Sequence, residues 1–347
     1  MKVLGIMSGT SLDGMDLALV DFDDNNPANF RFLATHTYGY SPKWEKRLRD
    51  AFHATGQELT LLDAEYGYFI GDTVNRFLVE TGAARPDLIA SHGQTIFHAP
   101  EQAYTLQIGS GAHIAARTGI TTVCDFRRQD VALGGQGAPL VPIGDRMLFG
   151  EYDYCLNIGG FANISYDDEQ DRRIAFDTGP ANIVLNTLAR RVGKTFDAGG
   201  QIARTGKISP GLLEALNDLP YYRDLRPKSL GWEFVETEIL PMIDRNELSV
   251  NDALATFTEH IAMQIARHIR GGRVLVTGGG AYNKYLMERI RAHTNAEIVI
   301  PSPQLIDYKE ALIFALLGLL RIQGKPNVLA SVTGAPRDHC SGVVFEV

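Results

Sequence analysis

The chain has 347 residues, 45% of them hydrophobic and 21% charged, and a formal net charge of −8 at neutral pH. That length suits two lobes better than one core, and ordinary composition marks a globular protein. An acidic balance with no Lys/Arg block argues against nucleic acid or an anionic membrane surface as the main partner.

In chain order, the apolar runs 3–7 and 17–20 read as strands joined by a hairpin. The stretch after Met1-Lys2 turns polar too soon for a signal-peptide core. The hairpin tip, Ser8-Gly9-Thr10-Ser11-Leu12-Asp13-Gly14-Met15-Asp16, is richer than any turn requires. Its glycines let backbone N–H groups approach an anion, and its hydroxyls add donors. Asp13 and Asp16 would repel bare phosphate, so they make sense with Mg²⁺ between, Asp13 holding it directly or through water. The segment thus suggests a nucleotide phosphate site, against the plainer reading of a polar turn with solvated aspartates.

A third strand is expected over 30–38, helices over 44–54 and 61–80, and a short strand over 88–90 running into Ser91-His92-Gly93-Gln94. A helix over 109–117 and a buried strand over 120–124 follow. The Gly/Pro-rich passage 134–142 is the best candidate for a hinge or lobe boundary. A second hairpin begins near Tyr154: strand 155–158, Gly159-Gly160, strand 161–166, then strand 174–176 leading into Asp177-Thr178-Gly179-Pro180. This repeats the N-terminal arrangement without repeating its sequence. A long helix over 249–270, a strand over 273–277 ending at Gly278-Gly279-Gly280, a helix over 282–293, a strand over 297–300 and an apolar helix over 308–321 complete the chain. The longest apolar run, 311–320, is far short of the ~18 residues of a membrane span. Cys124, Cys155 and Cys340 are widely spaced and form no CxxC pair, which fits reduced thiols in the cytoplasm.

Other nucleotide signatures fail. Gly193-Lys194-Thr195 ends like a P-loop, but Leu188 stands where its first glycine belongs, and Asn283 breaks a dinucleotide-binding pattern at Gly278-Gly279-Gly280. That glycine turn still suits the adenosine part of a nucleotide, with a helix N-terminus behind it. Asp177 sits where an apolar strand ends. It reads either as a helix cap, with Pro180 opening the helix, or as a general base. The polar passage Asp125-Phe126-Arg127-Arg128-Gln129-Asp130, with His92, Gln94 and His98, could hold a polyhydroxylated anionic ligand, since arginine forks match carboxylates. Asp307 and Glu310 open the last helix, where the helix dipole alone favours acids.

Taken together, Met7-Ser8-Gly9-Thr10-Ser11-Leu12-Asp13-Gly14, His92-Gly93-Gln94-Thr95, Asp125-Phe126-Arg127-Arg128, Gly134-Gly135-Gln136-Gly137-Ala138-Pro139, Asn157-Ile158-Gly159-Gly160, Asp177-Thr178-Gly179-Pro180 and Ser331-Val332-Thr333-Gly334-Ala335 resemble the anhydro-N-acetylmuramic acid kinase family in order and over nearly the whole chain. The resemblance implies an α/β fold of the actin/hexokinase/heat-shock-chaperone ATPase superfamily. Two ribonuclease H-like lobes, each a mixed β-sheet flanked by helices, would surround a central nucleotide cleft. The lobes would be 1–127 with about 322–347, and 128–321. It implies a cytoplasmic homodimer that uses ATP and Mg²⁺ to open 1,6-anhydro-N-acetylmuramic acid with water and phosphorylate O6 during cell-wall recycling. By the same resemblance Asp177 is the base; Gly9 to Asp16, Gly160, Asn163, Gly278, Gly279, Gly280 and Asn283 meet ATP; and His92, Gln94, Arg128, Asp130 and Glu310 meet the sugar. Phe161, Ala181, Leu230 and Trp232 depart from the family pattern. An ordinary sugar-hydroxyl kinase and a degenerate ATP-binding regulator of the same fold are the alternatives.

Overall fold

A computed structural model describes residues 1–9, 12, 14–223 and 230–347. Thr10, Ser11 and Asp13 of the expected phosphate loop lie outside the described residues. The strands in chain order are β1 (Lys2–Ser8), β2 (Met15–Phe22), β3 (Phe30–Tyr38), β4 (Leu88–Ser91), β5 (Gln94–Ala99), β6 (Tyr104–Ile108) and β7 (Thr122–Cys124). They continue with β8 (Tyr154–Ile158), β9 (Phe161–Asp167), β10 (Arg173–Pro180), β11 (Arg273–Thr277), β12 (Glu297–Val299) and β13 (Val343–Phe345).

The chain divides into two compact units, Met1–Leu148 with Tyr308–Val347, and Phe149–Asp307. In the first, a mixed sheet runs β13-β7-β4-β1-β2-β3, antiparallel across β1-β2-β3 and parallel across β1-β4-β7. In the second, a mixed sheet runs β10-β9-β8-β11-β12, again an antiparallel three-strand meander followed by parallel strands. The two sheets therefore share one connectivity, the repeat that the two hairpins suggested. The sequence did not signal β5 and β6, which form a separate hairpin.

The units divide at different residues from those expected. Passage 134–142 is no boundary; it lies inside the first unit, where Gln136 N–H donates to Thr333 O at 2.8 Å. The long helix Pro303–Ile322, expected over 308–321, starts earlier because Ser302 caps it, accepting from Leu305 N–H ahead of Pro303. Most of that helix belongs with the first sheet. Residues 311–317 are almost wholly buried, and the helix backbone touches β1 at Gly5. A Cβ added to Gly5 would lie 1.9 Å from Ala311 O, so only glycine permits this approach.

Gly5→Ala should therefore push the helix off β1. The expected loss is about 1–3 kcal/mol, seen as a lower urea midpoint with an unchanged m-value.

Candidate functional site

In the second unit, registered pairs set a polar row across the sheet at one end of its strands. Asp177 on β10 faces Asn163 on β9, Asn163 faces Asn157 on β8, and Asn157 faces Thr277 on β11. Thr277 Oγ1 lies 3.3 Å from Asn157 Oδ1. Gly278 follows Thr277 directly, so Asp177 and the glycine turn occupy one end of the same sheet. Three strand spacings, about 14 Å, separate them.

Asp177 is not a helix cap. The helix Asn182–Arg190 begins after Ala181, and Pro180 is still paired with Phe161 in the strand. A bulge between Asp177 and Gly179 bends β10 there. The Asp177 carboxylate accepts one described hydrogen bond, from Leu230 N–H to Oδ2 at 2.9 Å, while Tyr221 O–H donates to the Asp177 carbonyl at 2.6 Å. Burial pushes the carboxyl up to about 6, and the Leu230 bond only partly offsets it.

The glycine turn has both structural and open positions. Gly278 has φ +78, and a Cβ on it would lie 2.7 Å from Asn157 Oδ1; one on Gly280 would strike Ile158. Gly279 and Gly160 are exposed, with only ordinary van der Waals neighbours. Asn283 caps the helix Lys284–His293, its Oδ1 accepting from Leu286 N–H at 3.0 Å. That oxygen is thus committed to the fold.

In the first unit, Leu12 has φ 57 and its N–H reaches Gly9 O at 3.3 Å, so the described part of the loop turns tightly. Asp16 pairs with Met7 across the hairpin and accepts from Thr37 O–H at 2.6 Å. Behind the loop, His92 Nδ1 lies 3.3 Å from Ser8 O, and its Nε2 accepts from Arg127 Nε at 3.0 Å. These partners make the imidazole a neutral Nδ1–H tautomer, and burial with the Arg127 charge pushes its pKa down to about 3. His92 is a spacer, not an acid. Gln94 is buried and accepts from Ser8 O–H, within a hydroxyl group that includes Tyr40 and Tyr66.

Arg127, rather than Arg128, is the inward arginine. Burial pulls its pKa down to about 10, and the Glu310 and Asp130 charges oppose that fall. Glu310 lies well inside its helix, so the first-turn dipole does not explain it. Burial raises its carboxyl, Asp16 and Asp145 add to the rise, and Lys309 and Arg127 oppose it. Asp130 is fully buried and serves the fold: Oδ2 accepts Gly137 N–H at 2.6 Å and Oδ1 accepts Thr333 O–H at 2.8 Å.

A cavity of about 250 Å³ lies within the first unit, lined by residues that include Asp63, His92, Gln107, Ser110, Asp125 and Arg128. Asp125 adopts φ 56, rare for a residue with a side chain, and lies 3.1 Å from the exposed Arg128. Gln107 Oε1 is buried with no hydrogen-bond partner among the described residues, an acceptor that a ligand N–H or O–H would satisfy. Asp63 and Gln107 carried no sequence signal; they reach the cavity from a helix and from β6.

The whole chain, residues 1–347, matches the family model described as anhydro-N-acetylmuramic acid kinase. A protein of that name from Xanthomonas campestris pv. campestris strain 8004 is 40% identical, covering 99% of this chain and 96% of that protein. Relatives of the same name from Vibrio cholerae and Saccharophagus degradans are 39% and 37% identical, each covering 99% of this chain and 97% and 98% of their own.

Asp130 and Arg128 should separate structure from binding. Asp130→Ala leaves a buried N–H and hydroxyl without their acceptor and should cost about 1–3 kcal/mol in a denaturant titration. Arg128→Ala should stay within about 0.5 kcal/mol.

Proposed function

The chain belongs to the anhydro-N-acetylmuramic acid kinase family, and from that premise we propose Asp177 as its general base and the first unit's cavity as its sugar site. The enzyme is an ATP-dependent kinase that opens 1,6-anhydro-N-acetylmuramic acid with water and phosphorylates O6, giving N-acetylmuramic acid 6-phosphate and ADP.

Cleaving a glycosidic bond with inversion requires a base for water and an acid for the leaving oxygen. In this reaction the leaving O6 takes the γ-phosphoryl group, so phosphoryl transfer replaces the acid. One carboxylate then suffices: Asp177 removes a proton from the water that bonds to C1 as the C1–O6 bond breaks. The observation that carries this reading is the Asp177 carboxylate, half-buried on an edge strand with one described donor. A base so placed is poised near working pH.

Asp125 and Gln107 offer acceptors for sugar hydroxyls or an amide N–H, and Arg128 suits a carboxylate. Gly9, Leu12, Gly14, Gly160, Gly279 and the turn at Gly278 supply close backbone approach for ATP. Mg²⁺ takes one or two protein carboxylates beside phosphate oxygens, and Asp16 with Asp13 fits so small a donor set. When bound, the ion would neutralise charge on the transferring group. Cys124, Cys155 and Cys340 form no disulfide, which supports a reducing, cytoplasmic setting, and the homodimer implied by the family belongs to the same reading.

Asp177→Asn should keep ATP binding while lowering turnover on the order of 10²-fold or more. Wild-type turnover in the folded variant would remove Asp177 from the mechanism. In heavy-oxygen water, label should appear at C1 of the phosphorylated product; its absence would favour a plain hydroxyl kinase. Because the base acts only when deprotonated, kcat/KM should fall as pH drops through about 6.

A further inference from the structure

β10 is an edge strand of its sheet, so its outward backbone groups need partners from elsewhere. At the bulge beside Asp177 two consecutive tyrosines cover the strand, and the first of them supplies a partner. Tyr221 O–H closes on the Asp177 carbonyl, and Tyr222 packs at Gly179, where a Cβ would lie 3.1 Å from the Tyr222 hydroxyl. Both residues sit on the short helix Pro220–Arg223.

That helix is itself held at two points. Tyr222 O–H lies 2.9 Å from His260 Nε2, and its carbonyl accepts from Arg267 Nη1 at 2.7 Å. His260 Nδ1 lies 2.7 Å from Asn217 Oδ1, which also accepts from Gln264 Nε2. His260 and Gln264, with Arg267 at the C-cap, recur at helical spacing and make a polar stripe along the helix Val250–Ala266, whose other buried residues are mostly apolar. Burial drives His260 down to about 3, so it stays neutral and accepts from Tyr222. An apolar stripe would pack this helix as well; the polar one fixes Tyr222 in direction as well as in depth.

Farther along the chain, Leu230 N–H returns to the Asp177 carboxylate. The two ends of segment 221–230 thus bind one residue, at its carbonyl and at its side chain. We propose that Tyr221 is a positioning residue: its hydroxyl, anchored through Tyr222 to His260 and Arg267, fixes the Asp177 peptide and so keeps the carboxylate on the Leu230 N–H. This rests on Asp177 being the base. The titratable and charged groups on the elements packed here are Arg173 on β10, Tyr221, Tyr222 and Arg223 on the short helix, and Asp252, Glu259 and His260 on the helix Val250–Ala266 with Arg267 at its end; Tyr221 is the one bonded to Asp177.

The test is the pH dependence of kcat/KM for Tyr221→Phe, which keeps the ring and removes the hydroxyl. Without it the half-buried Asp177 carbonyl loses that donor, the peptide turns to find another, and the carboxylate leaves Leu230. A hydrogen bond that favours the charged form is then gone, so the acid limb should move to higher pH by about one unit. Turnover at the optimum should fall about tenfold, with KM for ATP within twofold. Tyr222→Phe cuts the tie to His260 but leaves Tyr221, and should move the limb the same way by less. An unmoved limb in Tyr221→Phe overturns the proposal, whether turnover stays normal or falls through general loss of structure. If Tyr221→Phe does not fold, an unmoved limb in Tyr222→Phe overturns it. Asp177→Asn run in parallel distinguishes the failures: normal turnover there refutes the base itself.

Discussion

The proposed chemistry depends on one half-buried carboxylate, Asp177, whose one described donor is the Leu230 N–H. Burial disfavours the charged form of Asp177, and the Leu230 bond recovers only part of that cost. With two or three donors the group would be a strong acid and a poor base; with none it would titrate still higher and be charged less often at working pH. Its place between those limits comes from backbone geometry: an edge strand, a bulge and a returning segment.

The sheets explain why such a position exists. Each unit carries a three-strand antiparallel meander that continues into parallel strands, and each places a glycine-containing turn at the end of its first hairpin. In the first unit that turn lies beside Asp16, with Arg127, neutral His92 and Glu310 behind it. In the second, the turn at Gly159-Gly160 accepts N–H groups from the following helix, and the row Asp177, Asn163, Asn157, Thr277 carries polarity across the sheet. One connectivity thus produces two differently charged edges, because the residues at the strand ends differ.

Much of this was legible in the sequence because strand periodicity and glycine clusters are local signals. Strands 30–38 and 273–277 fall where the apolar runs placed them, and Asp177 lies on an apolar strand as read. Helix starts carry local signals too: Thr55 and Glu58 form a capping box ahead of the helix Gly56–Thr81, and Ser302-Pro303 opens the helix Pro303–Ile322. Side-chain direction was less legible. Arg127 and Arg128 are neighbours of one type, yet the turn after β7 sends the first inward and leaves the second exposed. Asp130 has the composition of a sugar ligand, but Gly137 N–H and the distant Thr333 O–H occupy it. Tyr221 touches Asp177 across more than forty intervening residues, and no periodicity reports a contact of that kind.

The most direct measurement is the titration of the Asp177 carboxyl itself, followed by its ¹³C shift in selectively labelled protein and assigned with Asp177→Asn. A midpoint at about 6 is the predicted result. A midpoint near the ordinary aspartate value of about 3.9 would mean the group is solvated or fully hydrogen-bonded, and would contradict a buried base.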